Sequence, residues 1–514
     1  MEKPEEVLTR LKTKLLEIHH LKDAAALLAW DQETYMPPGA GQARAEHLAT
    51  LQTMAHDKLV SPELENLLRP VLNPATGLVQ DRYSGWEPST KALLRETWRD
   101  FTRAKKLPSA FVNRLERECS LAQQVWADAR KNNDFAQFLP NLRTIIALKR
   151  EEAHYLGYTD SPYNALLDTY EPGWTVAHLK PLLTTLRRRL VTLLNRVRKA
   201  STKPHDAILF QSFDPDRQME FSRMVLAKMG YDFQRGRVDL SAHPFTTSFH
   251  PTDVRVTTRV YEHELPACLF SCIHEGGHGL YEQGLRNEFY GTPLSEPISC
   301  GMHESQSRLW ENCVGRSRPF WEHFFPLLQH AFPEQLGQTS LEQFYAAINT
   351  VKPSLIRVEA DEVTYNLHIM VRFEIELELI EERVSVENLP SLWNEKMKEY
   401  LGVVPERDAD GILQDIHWAI GAFGYFPTYT LGNLYAAMLY QQACKDLPNI
   451  EADIAQGRLI PLKEWLNEKI HRWGRQFTSE EIIQQVTGEN LSAEPFLQYL
   501  ETKIEKVYYS GSYS

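Results

Sequence analysis

His274 and His278 stand four residues apart in the run Cys268-Leu269-Phe270-Ser271-Cys272-Ile273-His274-Glu275-Gly276-Gly277-His278-Gly279. On a helix that spacing separates them by about 40°, so both imidazoles share one face. Two neutral imidazoles there can hold one Zn²⁺ at about 2.0–2.1 Å. Glu275 follows the first histidine and can reach a water on such an ion without ligating it. The ion would lower the pKa of that water towards about 7, and the neighbouring carboxylate would accept its proton. This is the HExxH arrangement of metalloproteases. Gly276 and Gly277 lie inside the same helix, where each costs about 1 kcal/mol relative to Ala. A local rule broken in mid-helix marks a functional site or a close packing contact.

A catalytic zinc needs a third protein ligand and one open position. Glu304, in Gly301-Met302-His303-Glu304-Ser305-Gln306-Ser307-Arg308, is the chosen ligand, with His303 and Glu311 as competitors. Gly291, Pro293 and Pro297 lie between, enough for the first helix to end, a loop to turn and a second helix to return. The plain alternative for Glu304 is an ion pair with Arg308, one helical turn on. Two histidines and a glutamate suit Zn²⁺, and the same donors accept Co²⁺. The cofactor expected is therefore one divalent metal per subunit. A carboxylate should orient at least one ligating histidine, and Asp361 and Asp415 are the available ones.

The elements that must position these groups read mostly as helix. Leu8, Leu11, Leu15 and Ile18 recur at helical spacing, as do Leu179, Leu183, Leu186, Leu190 and Val197. Arg187, Arg188 and Arg189 fall in the second stretch and read as its solvated side. Further helices are expected over 115–129, 344–348, 361–380 and 462–473. One region differs: Val254, Val256, Thr258 and Val260 alternate with Arg255, Thr257 and Arg259, after a turn at His250-Pro251-Thr252-Asp253. Period two with β-branched residues predicts a strand, and a small antiparallel sheet just before the histidine motif. No repeat and no Gly/Ser-rich linker divides the chain, so 1–514 reads as a single domain.

Composition narrows the class. The chain has 514 residues, 43% hydrophobic and 24% charged, which fits a globular protein with a large core. Its formal charge of -12, with 68 acidic against 56 basic residues, excludes nucleic acid as a partner. The 6 Cys form neither a CxxC pair nor a disulfide framework. No stretch is apolar enough for a membrane helix, and the start MEKPEEVLTRLKTKLLEI lacks the pattern of an export signal. The expectation is a cytoplasmic protein with no membrane partner.

In full, the sequence resembles the carboxypeptidase Taq family of metallocarboxypeptidases, and the resemblance covers nearly the whole chain. It is carried by Leu28-Ala29-Trp30-Asp31-Gln32, His243-Pro244-Phe245, Asp253-Val254-Arg255-Val256-Thr257 and the His274–His278 motif. It continues through His303-Glu304-Ser305-Gln306, Ile356-Arg357-Val358-Glu359-Ala360-Asp361, Gln414-Asp415-Ile416-His417-Trp418 and Gly424-Tyr425-Phe426-Pro427-Thr428-Tyr429. Any one of these is weak; all of them in this order are specific. The resemblance implies a mainly helical, two-lobed body with a deep groove, similar to neurolysin-type peptidases. It implies metal ligands at His274, His278 and Glu304 with a catalytic Glu275. It also implies removal of single residues from peptide C-termini with broad specificity, and a homodimer.

A carboxypeptidase must recognise a free carboxylate, a task for the planar fork of an arginine. Arg357, the arginine of the family's IRxxAD motif, is the first candidate. Arg255 is the second, with pairing to Asp253 as its structural alternative. His417 and Tyr429 are chosen as donors to the tetrahedral oxyanion, with Tyr425 as substitute. Gln414, His243 and Asp253 are further groove residues. The rival function is an endo- or oligopeptidase of the same fold.

Overall fold

The structure is a computed structural model that describes residues 4–509, so the first three residues of the segment read for an export signal lie outside it. Helices follow one another from Pro4–Thr34 to Glu494–Tyr508. In the helix Val176–Arg198 the predicted stripe of Leu179, Leu183, Leu186, Leu190 and Val197 is buried. Of its arginines, Arg187 meets Glu374 at 3.1 Å and Arg189 meets Glu501 at 2.6 Å, on neighbouring helices. One hydrophobic core runs from Ala122 to Tyr508. A smaller cluster joins Leu11 and Leu15 of the first helix to Leu64, Leu68, Trp98 and Phe101. A groove of about 1060 Å³ opens into the helical body. No helix of the described residues is long and apolar enough to cross a membrane.

Two expected helices are shorter than their apolar patterns. The 361–380 stretch becomes helical only at Tyr365. Before it, the Asp361 carboxylate accepts the amides of Val363 at 2.9 Å and Thr364 at 3.0 Å, which holds a turn in place of a helical start. The 462–473 stretch is helical over Ile460–Lys469 and then tightens, and Gly474 takes a φ of 50°.

The sheet is real, but it is mixed and not wholly antiparallel. Its strands are β1 (Gly236–Leu240), β2 (Thr246–His250) and β3 (Asp253–Thr258), in the order β1-β3-β2. β2 and β3 are antiparallel across the predicted turn, with Thr246 opposite Val256. β1 pairs parallel to β3, with Val238 opposite Val256. The chain reverses after β1 and again after β2, so the third strand, inserted in the middle, runs the same way as the first. Val254 and Val256 are fully buried against the histidine-motif helix, Leu265–Gly284. That helix carries Pro266 in its first turn, where the missing N–H costs nothing.

Candidate metal centre and substrate groove

His274 and His278 project from one face of the motif helix, with ring centroids 5.0 Å apart. Glu304 comes from the next helix, Cys300–Arg308, whose first turn is capped by the Ser299 hydroxyl accepting from the Met302 amide at 3.0 Å. Its Oε2 lies 3.6 Å from His274 Nε2 and 3.4 Å from His278 Nε2. One donor atom from each of the three residues falls within 4.8 Å of the others.

The glycines explain how the helices come this close. A Cβ on Gly277 would stand 2.6 Å from the Gln306 carbonyl oxygen and 2.7 Å from Ser307 Cα. A Cβ on Gly432, in the helix Phe426–Asp446, would stand 2.7 Å from Glu304 Cβ. The mid-helix glycine of the motif is thus a packing contact that sets the distance between the histidines and Glu304.

The electrostatics suit a divalent cation. Burial pushes His278 down to about 3, aided by the neighbouring His303, so this imidazole is neutral at pH 7. Burial opposes ionisation of Glu304, but Arg308 and His274 override it and hold the carboxyl well below the usual range. Burial also disfavours charge on His274; Glu304 and Glu311 outweigh it and raise its pKa, negative surplus of the kind a cation offsets. Glu304 satisfies both earlier readings at once: Oε1 accepts Arg308 Nε at 2.6 Å while Oε2 faces the histidines.

The orienting partners of the histidines are not Asp361 or Asp415. His274 Nδ1 lies 2.9 Å from Glu311 Oε2. His278 Nδ1 pairs with His303 Nδ1, and His303 Nε2 lies 3.0 Å from Glu282 Oε1. Both ring nitrogens facing Glu304 are left free for a metal. Glu311 and His303, the competing ligands, occupy this outer layer. Asp361 serves the turn described above, and Asp415 bridges Arg357 and Arg372 at 2.9 and 2.6 Å.

Glu275 is buried, and its Oε2 accepts the Thr246 hydroxyl at 2.7 Å. Burial raises its pKa above the ordinary carboxylate value. Thr246, on the edge strand β2, is a site residue that sequence reasoning missed; a lone hydroxyl in a strand carries no pattern.

Arg357, Gln414, His417, Tyr425, Tyr429 and His243 line the same groove. Arg357 is 6% exposed. Its Nε donates to Asp415 Oδ1 at 2.9 Å and its Nη1 to the Tyr365 hydroxyl at 3.1 Å, leaving part of the fork free. His417 Nε2 sits 3.2 Å from the Tyr429 hydroxyl, and burial with Arg357 pushes His417 down to about 3. Tyr425 packs edge-on against Tyr429 at 5.2 Å. His243 is an exposed rim residue.

Gln414 lines the groove, but its amide is committed to the scaffold. Its oxygen accepts the Arg357 amide at 2.9 Å and Arg372 Nη2 at 2.7 Å, and its nitrogen donates to Leu355 and Asp410 carbonyls at 3.0 and 3.1 Å. Asp253 and Arg255 do not join the groove lining. They form a two-pronged ion pair at 2.9 Å, with the guanidinium 4.4 Å from the Trp30 ring centre. Two residues apart on a strand, they share a face and neutralise each other locally.

Comparison with known proteins places this arrangement. The sequence model of the carboxypeptidase Taq (M32) metallopeptidases matches residues 10–504. The chain is 44% identical over 501 residues to thermostable carboxypeptidase 1 of Thermus thermophilus, covering 96% of this chain and 97% of that one. It is 40% identical over 494 residues to carboxypeptidase 1 of Bacillus subtilis, with 96% and 97% covered. The crystal structure of the M32 carboxypeptidase from Deinococcus radiodurans matches with a TM-score of 0.93 at 37% identity, over 98% of this chain and 99% of that one. A fold, a sequence and a cluster of metal-binding side chains that agree along almost the full length mean that the chain belongs to the carboxypeptidase Taq metallopeptidases and is a metallocarboxypeptidase.

Proposed function

We propose that this metallocarboxypeptidase removes single residues from the free C-termini of peptides, with broad specificity, using one Zn²⁺ per subunit. The observation that carries the reading is the convergence of His274, His278 and Glu304 in a groove that also contains Glu275 and Arg357. The three ligands would hold the cation, which when bound supplies Lewis-acid polarisation of the scissile carbonyl and a more acidic attacking water. Co²⁺ would fit the same donors.

The remaining work falls to the chain's own groups. Arg357 takes the substrate carboxylate. With Arg372 and Asp415 beside it, two guanidinium groups share one carboxylate, so this end of the groove keeps a net positive charge. Glu275, held by Thr246, accepts the proton of the attacking water and passes it to the leaving amine. His417 and Tyr429 donate hydrogen bonds to the developing oxyanion, with Tyr425 packed behind. Gln414 keeps Arg357 in place.

The chain acts in this reading as one catalytic domain over 1–514, in the cytoplasm and as a homodimer. The test is a digest of one long peptide followed by mass spectrometry, with elemental analysis of the purified protein. Ladders shortening from the C-terminus and stoichiometric zinc are expected. Internal cuts would overturn the exopeptidase reading in favour of an endopeptidase.

A further inference from the structure

The helix that carries Glu304 does not stop at Arg308. It runs on into a π-helical turn, Leu309–Val314, where the Gly315 amide reaches back to the Trp310 carbonyl at 2.7 Å. A π turn inserts one extra residue into a helix and is rare outside functional sites, because it leaves carbonyls out of register with their usual donors. This one swings Glu311 round to the far edge of the His274 ring, with Oε2 2.9 Å from Nδ1. The other Glu311 oxygen takes Arg316 Nη2 at 3.2 Å.

The displaced backbone is met from an unexpected quarter. The Asn312 carbonyl lies 2.8 Å from the hydroxyl of Tyr499 and 3.4 Å from Nζ of Lys503, both on the C-terminal helix Glu494–Tyr508. Glu362 closes the cluster: its Oε2 is 2.7 Å from the Tyr499 hydroxyl and its Oε1 is 2.6 Å from Lys503 Nζ. Asn312 is 5% exposed and Lys503 8%. A buried Lys–Glu pair is a poor source of stability, since desolvating the two charges offsets most of their attraction. Its return here lies in what it holds. Without these donors the Asn312 carbonyl would be buried and unpaired, and the chain would relax towards the commoner α-helical register. That shift of one residue would rotate Glu311 by about 100° around the helix, away from His274.

We propose that Tyr499, Lys503 and Glu362 are positioning residues: they lock the π turn and thereby place Glu311 against His274, so that the C-terminal helix completes the metal centre. The inference rests on the metal reading above and adds a part of the chain that no motif touches. Leu500, Lys503 and Ile504 of the same helix also line the groove, so the brace stands where a bound peptide would press on it.

The test is a double-mutant cycle on the full-length protein, stripped of metal and titrated with Zn²⁺ against a chromophoric chelator. Tyr499→Phe keeps the ring packing and deletes the hydroxyl. It should raise the zinc Kd about tenfold, as removal of an orienting partner of a ligand does. Glu311→Gln should do the same or more. The double variant should bind zinc no more weakly than Glu311→Gln alone, because the hydroxyl acts only through that carboxylate. Glu362→Gln, which loosens both donors, should follow the same non-additive pattern with a smaller effect. Additive losses would overturn the brace, since damage unrelated to Glu311 would add to its removal. So would parent-like zinc binding in both Tyr499→Phe and Glu362→Gln. A parent protein that binds no zinc would overturn the metal reading itself, a result distinct from a zinc-binding parent whose brace variants are silent.

Discussion

Capping the substrate's C-terminal carboxylate as an amide should slow cleavage through Arg357, by an amount that the structure limits. A free guanidinium in a dry site would offer its whole fork to the substrate. Here Nε and Nη2 already serve Asp415 Oδ1, each at 2.9 Å, and Nη1 serves Tyr365 at 3.1 Å. The substrate meets the part of the fork that remains, within an arginine–aspartate–arginine group of net positive charge. Losing charged hydrogen bonds of that kind costs about 1.5–3 kcal/mol, so kcat/KM should fall roughly tenfold to a hundredfold. Acetylating the N-terminus of the same peptide should change little. Arg357→Ala should slow the acid form and close the gap between acid and amide. Arg357→Lys should restore only part of it, because a point charge cannot reproduce the fork. The assay is kcat/KM for one peptide sequence in acid and amide forms, on the parent and both variants. Equal rates on the two forms by the parent would refute carboxylate anchoring.

Other outcomes follow from the same geometry. Glu275→Gln should keep its metal and lower kcat by about 10²–10⁴, measured on protein whose metal content is checked; an unchanged kcat would remove it from the chemistry. Glu304→Ala should weaken zinc binding by at least about a hundredfold in chelator competition, and parent-like binding would leave only its pairing with Arg308. Gly277→Ala drives a methyl group into the backbone at Gln306 and Ser307; it should cost about 1–3 kcal/mol in denaturant unfolding and weaken zinc binding as the two helices part. Asp415→Asn leaves two buried guanidinium groups without their shared anion and should cost about 3–5 kcal/mol at neutral pH. Burial opposes ionisation of Asp415, but Arg357 and Arg372 prevail and hold its folded pKa far below the ordinary value. Its stabilisation is therefore complete above the unfolded pKa of about 3.9 and falls away as the pH drops below it. The difference in Tm between parent and Asp415→Asn should stay level from about pH 6 to 8 and shrink below about pH 4; a difference that widens in acid would contradict the sign.

What could be read from the chain was what short-range geometry controls. His274 and His278 share a helix face by arithmetic alone, and the apolar stripe of Val176–Arg198 is the same arithmetic over more turns. The antiparallel pairing of β2 and β3 followed from a turn between alternating strands. The parallel partner, β1, did not, because which strand fills the middle of a sheet depends on packing against the motif helix. Glu311 was weighed only as a ligand, two turns beyond Glu304. A π turn that no residue pattern announces changed its register and made it the partner of His274. Asp253 and Arg255 looked like groove residues by type, yet a pair two residues apart on one strand satisfies itself. Gly277 and Gly432 belong between these cases: a glycine in mid-helix can be seen in a sequence, but what it approaches cannot.

The divided loyalty of Glu304 has a consequence for how the protein lives with and without its ion. One carboxylate oxygen is tied to Arg308 and the other points at the histidines, while Gly277 and Gly432 fix the surrounding backbones by contact. The cage is therefore assembled by the protein alone. Small zinc domains collapse when a chelator takes their metal, because the ion is their core. Here stripping should silence the enzyme and leave it folded, ready to be refilled. Which ion occupies it at a given moment then becomes a matter of supply, and activity can be withdrawn and restored without making a new chain.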